Sequence, residues 1–479
     1  MNRTIQKLFA WSLILLFFII APAIALYSMG YRLTRDDNDT PTLVSTGGIR
    51  INTKIPYEIT INDKMESKSP LLKVGLAPQD LDVILSLPGY QPWGKKISIQ
   101  PSFVQLISDV TLFPIEPSLE QFSDLRTARN IRRIPNTSLV LYTSYNPNES
   151  GLWTLDLDTN IRKRITNSIT LGGLDNQDYF DFVWSDSGNT LSFRTSINNE
   201  MQYIVATNID TTPVLTTLNS LAPISDIANN PISIVSLAAD RVFFIQAGSL
   251  YEVNPPFNSV SSALVSDIIS SDFVNQTLYY TSSRDIGNIR VYSLDTKRNT
   301  SIPLPDITVK EIFISPNEGH LVIIDDKQHA WLKALGENTA DFNKISDIKI
   351  TDIEFASDSK KALLISNNSL SMLYLDTIEG YKSRIEGDFD TLYTSESPLS
   401  YAELWEPNTE YIMFIEDNAL KAVESDTRGS INNYTLAKNI TQFASMRIRN
   451  DARTAIIDDN NIIQSFTFPI RRPLININN

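Results

Sequence analysis

Phe182-Val183-Trp184-Ser185-Asp186-Ser187-Gly188-Asn189-Thr190-Leu191-Ser192-Phe193 is the stretch on which the reading of the fold turns. A short apolar run meets a cluster of turn-forming residues and is followed by a more apolar run. That is the pattern of two strands joined by a tight turn. The same sentence recurs at Ile312-Phe313-Ile314-Ser315-Pro316-Asn317-Glu318-Gly319-His320-Leu321-Val322-Ile323 and at Ile353-Glu354-Phe355-Ala356-Ser357-Asp358-Ser359-Lys360-Lys361-Ala362-Leu363-Leu364. Looser copies surround Trp405-Glu406-Pro407-Asn408 and Ile448-Arg449-Asn450-Asp451. A third strand closes on aspartate in Leu152–Asp156, Val291–Asp295 and Met372–Asp376.

Copies lie about 40–45 residues apart, the length of one four-stranded propeller blade. Eight centres are expected, near residues 145, 190, 242, 280, 322, 363, 413 and 455. The one near 242 is the faintest, so seven blades is the alternative count. Residues 122–479 are therefore expected to form a seven- or eight-bladed β-propeller, in which a ring of sheets hides most strand edges. The repeated unit resembles the TolB-like family of β-propeller repeats over most of residues 125–470. That resemblance implies a binding scaffold, found in partner-binding envelope proteins and as gating domains ahead of serine peptidases.

Upstream, Leu8 to Met29 runs without a charge and is long enough to cross a bilayer as a helix. Arg3 and Lys7 precede it, and Arg32 and Arg35 follow it. Trp11 and Tyr27 sit towards its ends, where amphipathic rings favour the headgroup zone. Residues 8–29 read as an uncleaved transmembrane signal anchor. A signal peptide cleaved after Ala25, within Ala23-Ile24-Ala25, and a buried globular helix are the rival readings. The basic flanks are nearly balanced, and the N-terminal amine tips residues 1–7 towards a cytoplasmic tail, with the body outside the membrane. Residues 30–46, polar and acidic, read as a linker.

Between linker and repeats, Ile49, Ile51 and Thr53 alternate with Arg50, Asn52 and Lys54, and Tyr57–Ile61 repeats the alternation before an Asn62-Asp63-Lys64 turn. Strands are also expected at Leu81–Leu87, Lys96–Ile99 and Val104–Leu112, making a small antiparallel β-sandwich. Gly47–Lys64, Ser69-Pro70-Leu71 and Pro88-Gly89-Tyr90-Gln91-Pro92-Trp93-Gly94-Lys95-Lys96 resemble a PEGA domain over about 70 residues, here 47–117. The Pro-x-Gly-Ala stretch that names such domains is replaced by Pro56-Tyr57-Glu58-Ile59. The resemblance implies a surface-exposed module of cell-envelope proteins. Tyr90 and Trp93 are expected to fill its core rather than stack on a ligand.

Composition narrows the chemistry. The 479-residue chain has 41 Lys and Arg against 55 Asp and Glu, a net charge of −14, which disfavours nucleic acid and docking on anionic lipid. It has no cysteine, which removes disulfides, thiolate catalysis and cysteine-bound zinc. Asn-x-Ser/Thr triplets at Asn136, Asn148, Asn299 and Asn439 are expected by chance in so polar a chain. Neither Gly-x-Ser-x-Gly nor a phosphate-binding glycine loop occurs. His320 and His329 are the only histidines and read as ordinary turn and strand residues. The carboxylate pairs Asp325-Asp326, Asp458-Asp459 and Asp156-Asp158 read as solvated turn residues, without the spaced oxygens of a calcium site.

No catalytic, cofactor or metal residue is therefore assigned. The expectation is an all-β, single-pass cell-envelope protein that binds a protein or cell-wall glycan without catalysis. A propeller glycosidase or lyase using channel carboxylates, and a structural surface spacer, are the alternatives.

Overall fold

The computed structural model describes residues 3–35, 40–53, 56–108, 110–117, 119–121, 127–134, 137–146, 148–167, 179–185, 187–197, 199–221, 224, 230–238, 241–336, 341–378, 383–405, 410–448, 451–458 and 461–469. Among the described residues the regular structure is strand apart from one long N-terminal helix and short 3₁₀ turns. The helix runs Arg3–Ser28 with Pro22 inside it. Its Trp11–Ser28 window is long and apolar enough to cross a membrane, and none of that window is buried. Gly30, at φ +87°, ends it in the left-handed conformation that glycine adopts without strain.

The stretch expected as a linker carries strands. Tyr31–Arg35 pairs antiparallel with Pro41–Ser45, so a two-stranded hairpin follows the helix. Beyond it, two sheets enclose one core. The first holds Leu71–Leu76, Gly47–Asn52 and Val104–Ser108; the second holds Lys64–Lys68, Glu58–Ile61, Asp80–Ser86 and Trp93–Ser98. Ile49, Ile51, Ile59, Val83, Leu85, Trp93 and Ile107 fill the space between them.

Two sequence expectations are corrected here. Lys64–Lys68 and Leu71–Leu76 are strands that the reading passed over, because lysine, glutamate and serine mask their alternation. Nor is the module wholly antiparallel. Val104–Ser108 lies parallel to Gly47–Asn52, a pairing open to a strand that returns from the other sheet rather than through a hairpin. Glycine is required at 47, where a side chain would stand 2.1 Å from the Gln100 carbonyl oxygen.

From residue 128 eight sheets follow in chain order, numbered one to eight here, in a propeller-like arrangement: 128–166, 179–217, 233–253, 268–303, 309–346, 352–394, 400–438 and 440–469. Each is an antiparallel meander, and the repeat centres read from the sequence fall one to a sheet. The third, the faintest in sequence, has three strands among the described residues. The eighth borrows its fourth strand from Glu120–Gln121, just upstream of the expected start at 122.

Neighbouring sheets share buried cores all the way round. The last of these joins Ile131, Val140 and Tyr142 of sheet one to Ala444, Ile457 and Ile463 of sheet eight, closing the ring. First strands adjoin first strands, as Val309–Ile314 does Ile268–Val274 and Ala128–Arg133 does Ile440–Ile448, so they line the axis. Except in sheet six, the first strand slips register against the second, a bulge that adds twist near the axis.

The recurring serine has a physical reason. The Ser185 hydroxyl accepts the Thr190 N–H at 3.0 Å, and the Ser315 hydroxyl accepts the His320 N–H at 2.9 Å, each closing its turn. Aspartate at the end of the third strand works alike: Asp156 accepts the Asp158 N–H at 2.9 Å and the Thr159 hydroxyl at 2.8 Å.

The small module is docked on sheet seven. Lys95, its side chain fully buried, lies 3.2 Å from Glu424 Oε2 and 3.3 Å from Asp426 Oδ2, and donates to the Asp426 carbonyl. The Trp93 indole donates to Glu424 Oε1 at 2.9 Å, and Asn432 donates to its other oxygen at 2.8 Å. Burial pushes the Glu424 carboxyl up, against the pull of Lys95. Burial also pushes Asp426 up, but Arg428 and Lys95 outweigh it and hold that carboxyl low. Phe113 plugs into Trp405, Tyr411 and Tyr434, with ring centroids 5.6, 5.0 and 5.1 Å away. Gly429, at φ +64°, permits the approach: a side chain there would meet the Lys96 carbonyl oxygen at 2.3 Å.

Removing the cation should leave the buried Glu424 carboxylate without its counter-charge, while Arg428 still pairs with Asp426. Lys95→Met is expected to cost about 3–5 kcal/mol in urea unfolding. Glu424→Gln, which keeps an acceptor for Trp93 and removes the charge that burial disfavours, is expected to cost less than Lys95→Met in the same measurement.

Candidate functional site

A meander puts its first-to-second and third-to-fourth turns on one rim of the ring. The second-to-third turns and the links between sheets lie on the other. The docked module occupies the first rim, at the 425–432 turn of sheet seven. The second rim carries a cavity of about 1000 Å³ between sheets four and five.

Three segments build this cavity. The 304–308 link between the sheets supplies Leu304, Asp306 and Ile307; the 282–287 turn of sheet four supplies Ile286; the 325–329 turn of sheet five supplies Asp325, Asp326, Lys327 and His329. Ile269, Thr281, Val309, Trp331 and Lys344 add to the lining from strands. Ile269 and Ile286 are 61% and 75% exposed, an apolar lip held out into water.

Asp325 organises the sheet-five wall. One carboxylate oxygen accepts the N–H groups of Lys327 at 2.9 Å and His329 at 2.8 Å. The other meets His329 Nδ1 at 3.2 Å and accepts the Trp331 indole N–H at 3.1 Å. Burial pushes this carboxyl up, yet the bonds from His329 and Trp331 outweigh it and hold it below the usual range. Asp326 donates its N–H to the Thr308 carbonyl at 3.0 Å, tying the turn to the link. Thr281 is different: its hydroxyl is buried in the lining without a hydrogen-bond partner.

The residues singled out from sequence part company here. Asp325, Asp326 and His329 come together in the cavity, with Asp325 fully used as an acceptor. His320 sits on the opposite rim, its Nε2 3.5 Å from Glu386 Oε1. Asp156 caps its own turn, and the Asp458-Asp459 side chains lie outside the described residues. Tyr90 and Trp93 pack in the module core, and the Trp93 indole also reaches Glu424. Among the described residues no group of three or more His, Cys, Asp and Glu side chains could hold a metal.

Sequence reasoning missed the acceptors that latch the axis. Asp272 Oδ2 accepts the Ile314 N–H at 2.7 Å, Glu354 Oε2 the Leu404 N–H at 2.7 Å, and Gln442 Oε1 the Ile131 N–H at 3.1 Å. These latches join sheet four to five, six to seven and eight to one. In each case the acceptor precedes a phenylalanine, Phe273, Phe355 or Phe443, that packs into a ring core. The same pairing also occurs at Asp341-Phe342 and Asp388-Phe389, away from the first strands, so the dipeptide alone does not mark a latch. Burial pushes the Asp272 carboxyl up, and its two backbone bonds pull against that.

No family model matches the chain, and no curated protein matches it. Among solved structures, Saccharomyces cerevisiae Sqt1 is similar at TM-score 0.47 and 13% identity, over 74% of this chain and 99% of that one. The C-terminal WD40 domain of Sif2 is similar at TM-score 0.47 and 9% identity, over 74% and 99%. Kluyveromyces lactis Hsv2 is similar at TM-score 0.44 and 11% identity, over 63% and 96%.

Asp325→Ala should strand the Trp331 indole and two backbone N–H groups and cost ~1.5–3 kcal/mol. Because Asp325 ionises more readily folded than unfolded, the stability it lends is complete above about pH 4 and is lost as pH falls through its lower folded value. The gap between wild type and Asp325→Ala in urea unfolding is expected to shrink correspondingly with acidification.

Proposed function

We propose that this chain is a membrane-anchored binding scaffold of the cell envelope. In this reading residues 8–29 are an uncleaved anchor with a short cytoplasmic tail, and the two-sheet module at 47–117 is PEGA-like. The ring is an eight-bladed, TolB-like propeller that binds a protein without catalysis. The observation that carries the reading is the cavity between sheets four and five, on the rim away from the docked module. Its exposed isoleucines and its mixed charges suit a polypeptide segment with an aliphatic side chain.

Two features favour binding over the glycosidase alternative. Asp325 is consumed by four contacts within its own turn and strand. The axial carboxylates Asp272 and Glu354 are consumed as backbone acceptors. Glycoside cleavage requires a pair of free carboxylates, and of the acidic residues lining this cavity Asp306 and Asp326 remain for that role.

A photoreactive benzophenone side chain at Ile286 in living cells should give a protease-sensitive adduct, and one at Lys360 on the opposite rim should not. Equal adducts from both rims, or an adduct removed by glycan hydrolases alone, would overturn the assignment. Protease added to intact cells is expected to digest the body, and complete protection would reverse its location.

A further inference from the structure

The outward face of the three-stranded sheet is apolar without serving a core. Gly48 pairs with Val74 on one side and Val104 on the other, and Arg50 pairs with Leu72 and Leu106, so six residues form two rows across the sheet. Leu72 and Val74 are each 61% exposed, Val104 47% and Leu106 48%. The opposite face, with Ile49, Ile51 and Ile107, is the buried one. A soluble module seldom leaves such a patch unpartnered.

What covers it is indicated by the patch's position and charge. The N-terminal helix ends beside it: the Gly30 carbonyl accepts the Thr46 N–H at 2.9 Å, and Ser102 donates its N–H to the Thr46 carbonyl at 2.9 Å. Thr46 and Ser102 each lie two residues before a member of the first row, Gly48 and Val104. The hairpin that follows the helix adds Leu33 and Leu43, paired in register and exposed. Arg32 stacks on the Tyr27 ring at 3.6 Å and reaches towards Gly75 on the edge strand, tying helix end, hairpin and sheet together. Within a chain of net charge −14, the only charged residue in the two rows is the exposed Arg50.

We infer that this sheet face is a membrane seat: Leu72, Val74, Val104 and Leu106 lie in the headgroup layer of the bilayer that the helix crosses, with Arg50 directed to lipid phosphate. The physics is that of interfacial apolar surfaces, which bury to a depth of ~5–10 Å and gain from anionic headgroups. The whole-chain charge that disfavours peripheral docking does not act here, because the helix already supplies attachment and the patch itself is locally basic. The inference rests on the anchor reading of residues 8–29.

Absence of cysteine makes the test clean. Val74→Cys, Leu106→Cys and, as a control on the outward face of the other sheet, Asp82→Cys are each labelled with an environment-sensitive nitrobenzoxadiazole. The full chain is reconstituted in phosphatidylcholine–phosphatidylglycerol vesicles. Labels at 74 and 106 are expected to emit to the blue of the label at 82 and to be quenched by lipids brominated high on the acyl chain. Water-like emission at all three positions, in protein that still floats with the vesicles, overturns the seat and leaves the anchor standing. Protein that fails to float overturns the anchor itself. Blue-shifted emission without lipid quenching, growing with protein density, gives the face to a second copy and overturns the seat.

Discussion

Closure of the ring is the constraint on which the rest depends. Residues 122–479, with almost no helix among those described, must dispose of many strand edges, and a circle of sheets is one of few ways to do so. Each sheet is apolar on both faces, since each packs against two neighbours, and opening the circle would expose the two faces at the seam to water. Two devices keep it shut. Glu120–Gln121 completes the eighth sheet from the far end of the chain. Side-chain acceptors on the axial strands capture backbone N–H groups of the next sheet, including Gln442 across the seam to Ile131.

Closure also divides the surface into two unlike rims. One receives the small module through a desolvated ion cluster and an aromatic plug, a contact too well satisfied to be a passing one. The other keeps a cavity with polar and apolar groups left over. The sequence of elements thus becomes a spatial order, with the small module at one rim of the ring and the cavity at the other.

Much of the ring was readable from residues alone because its turns are chemically demanding. A serine that must accept an N–H five residues on, and glycine or asparagine at positive φ, leave marks that recur at the blade spacing. The small module was less legible. Lys64–Lys68 is almost wholly exposed and carries no alternation to read, and a parallel pairing between Gly47–Asn52 and Val104–Ser108 has no local signature. The contact surface was legible only in retrospect: Pro88–Lys96 stood out as a motif, yet nothing within it announces that Trp93 and Lys95 seek partners more than 300 residues away. Likewise Asp325 and His329 stood out as residues, but their setting depends on the 304–308 link and on a neighbouring sheet.

The docked module has a mechanical meaning. Tension entering along the helix would otherwise run down the covalent chain to the two-residue strand that completes the eighth sheet, where so few hydrogen bonds peel apart readily. Because Lys95, Trp93 and Phe113 clamp the module onto sheet seven, force is shared with a thick, fully packed blade before it arrives at that seam. A pull applied at the N-terminal helix thereby reaches the ring without unzipping it.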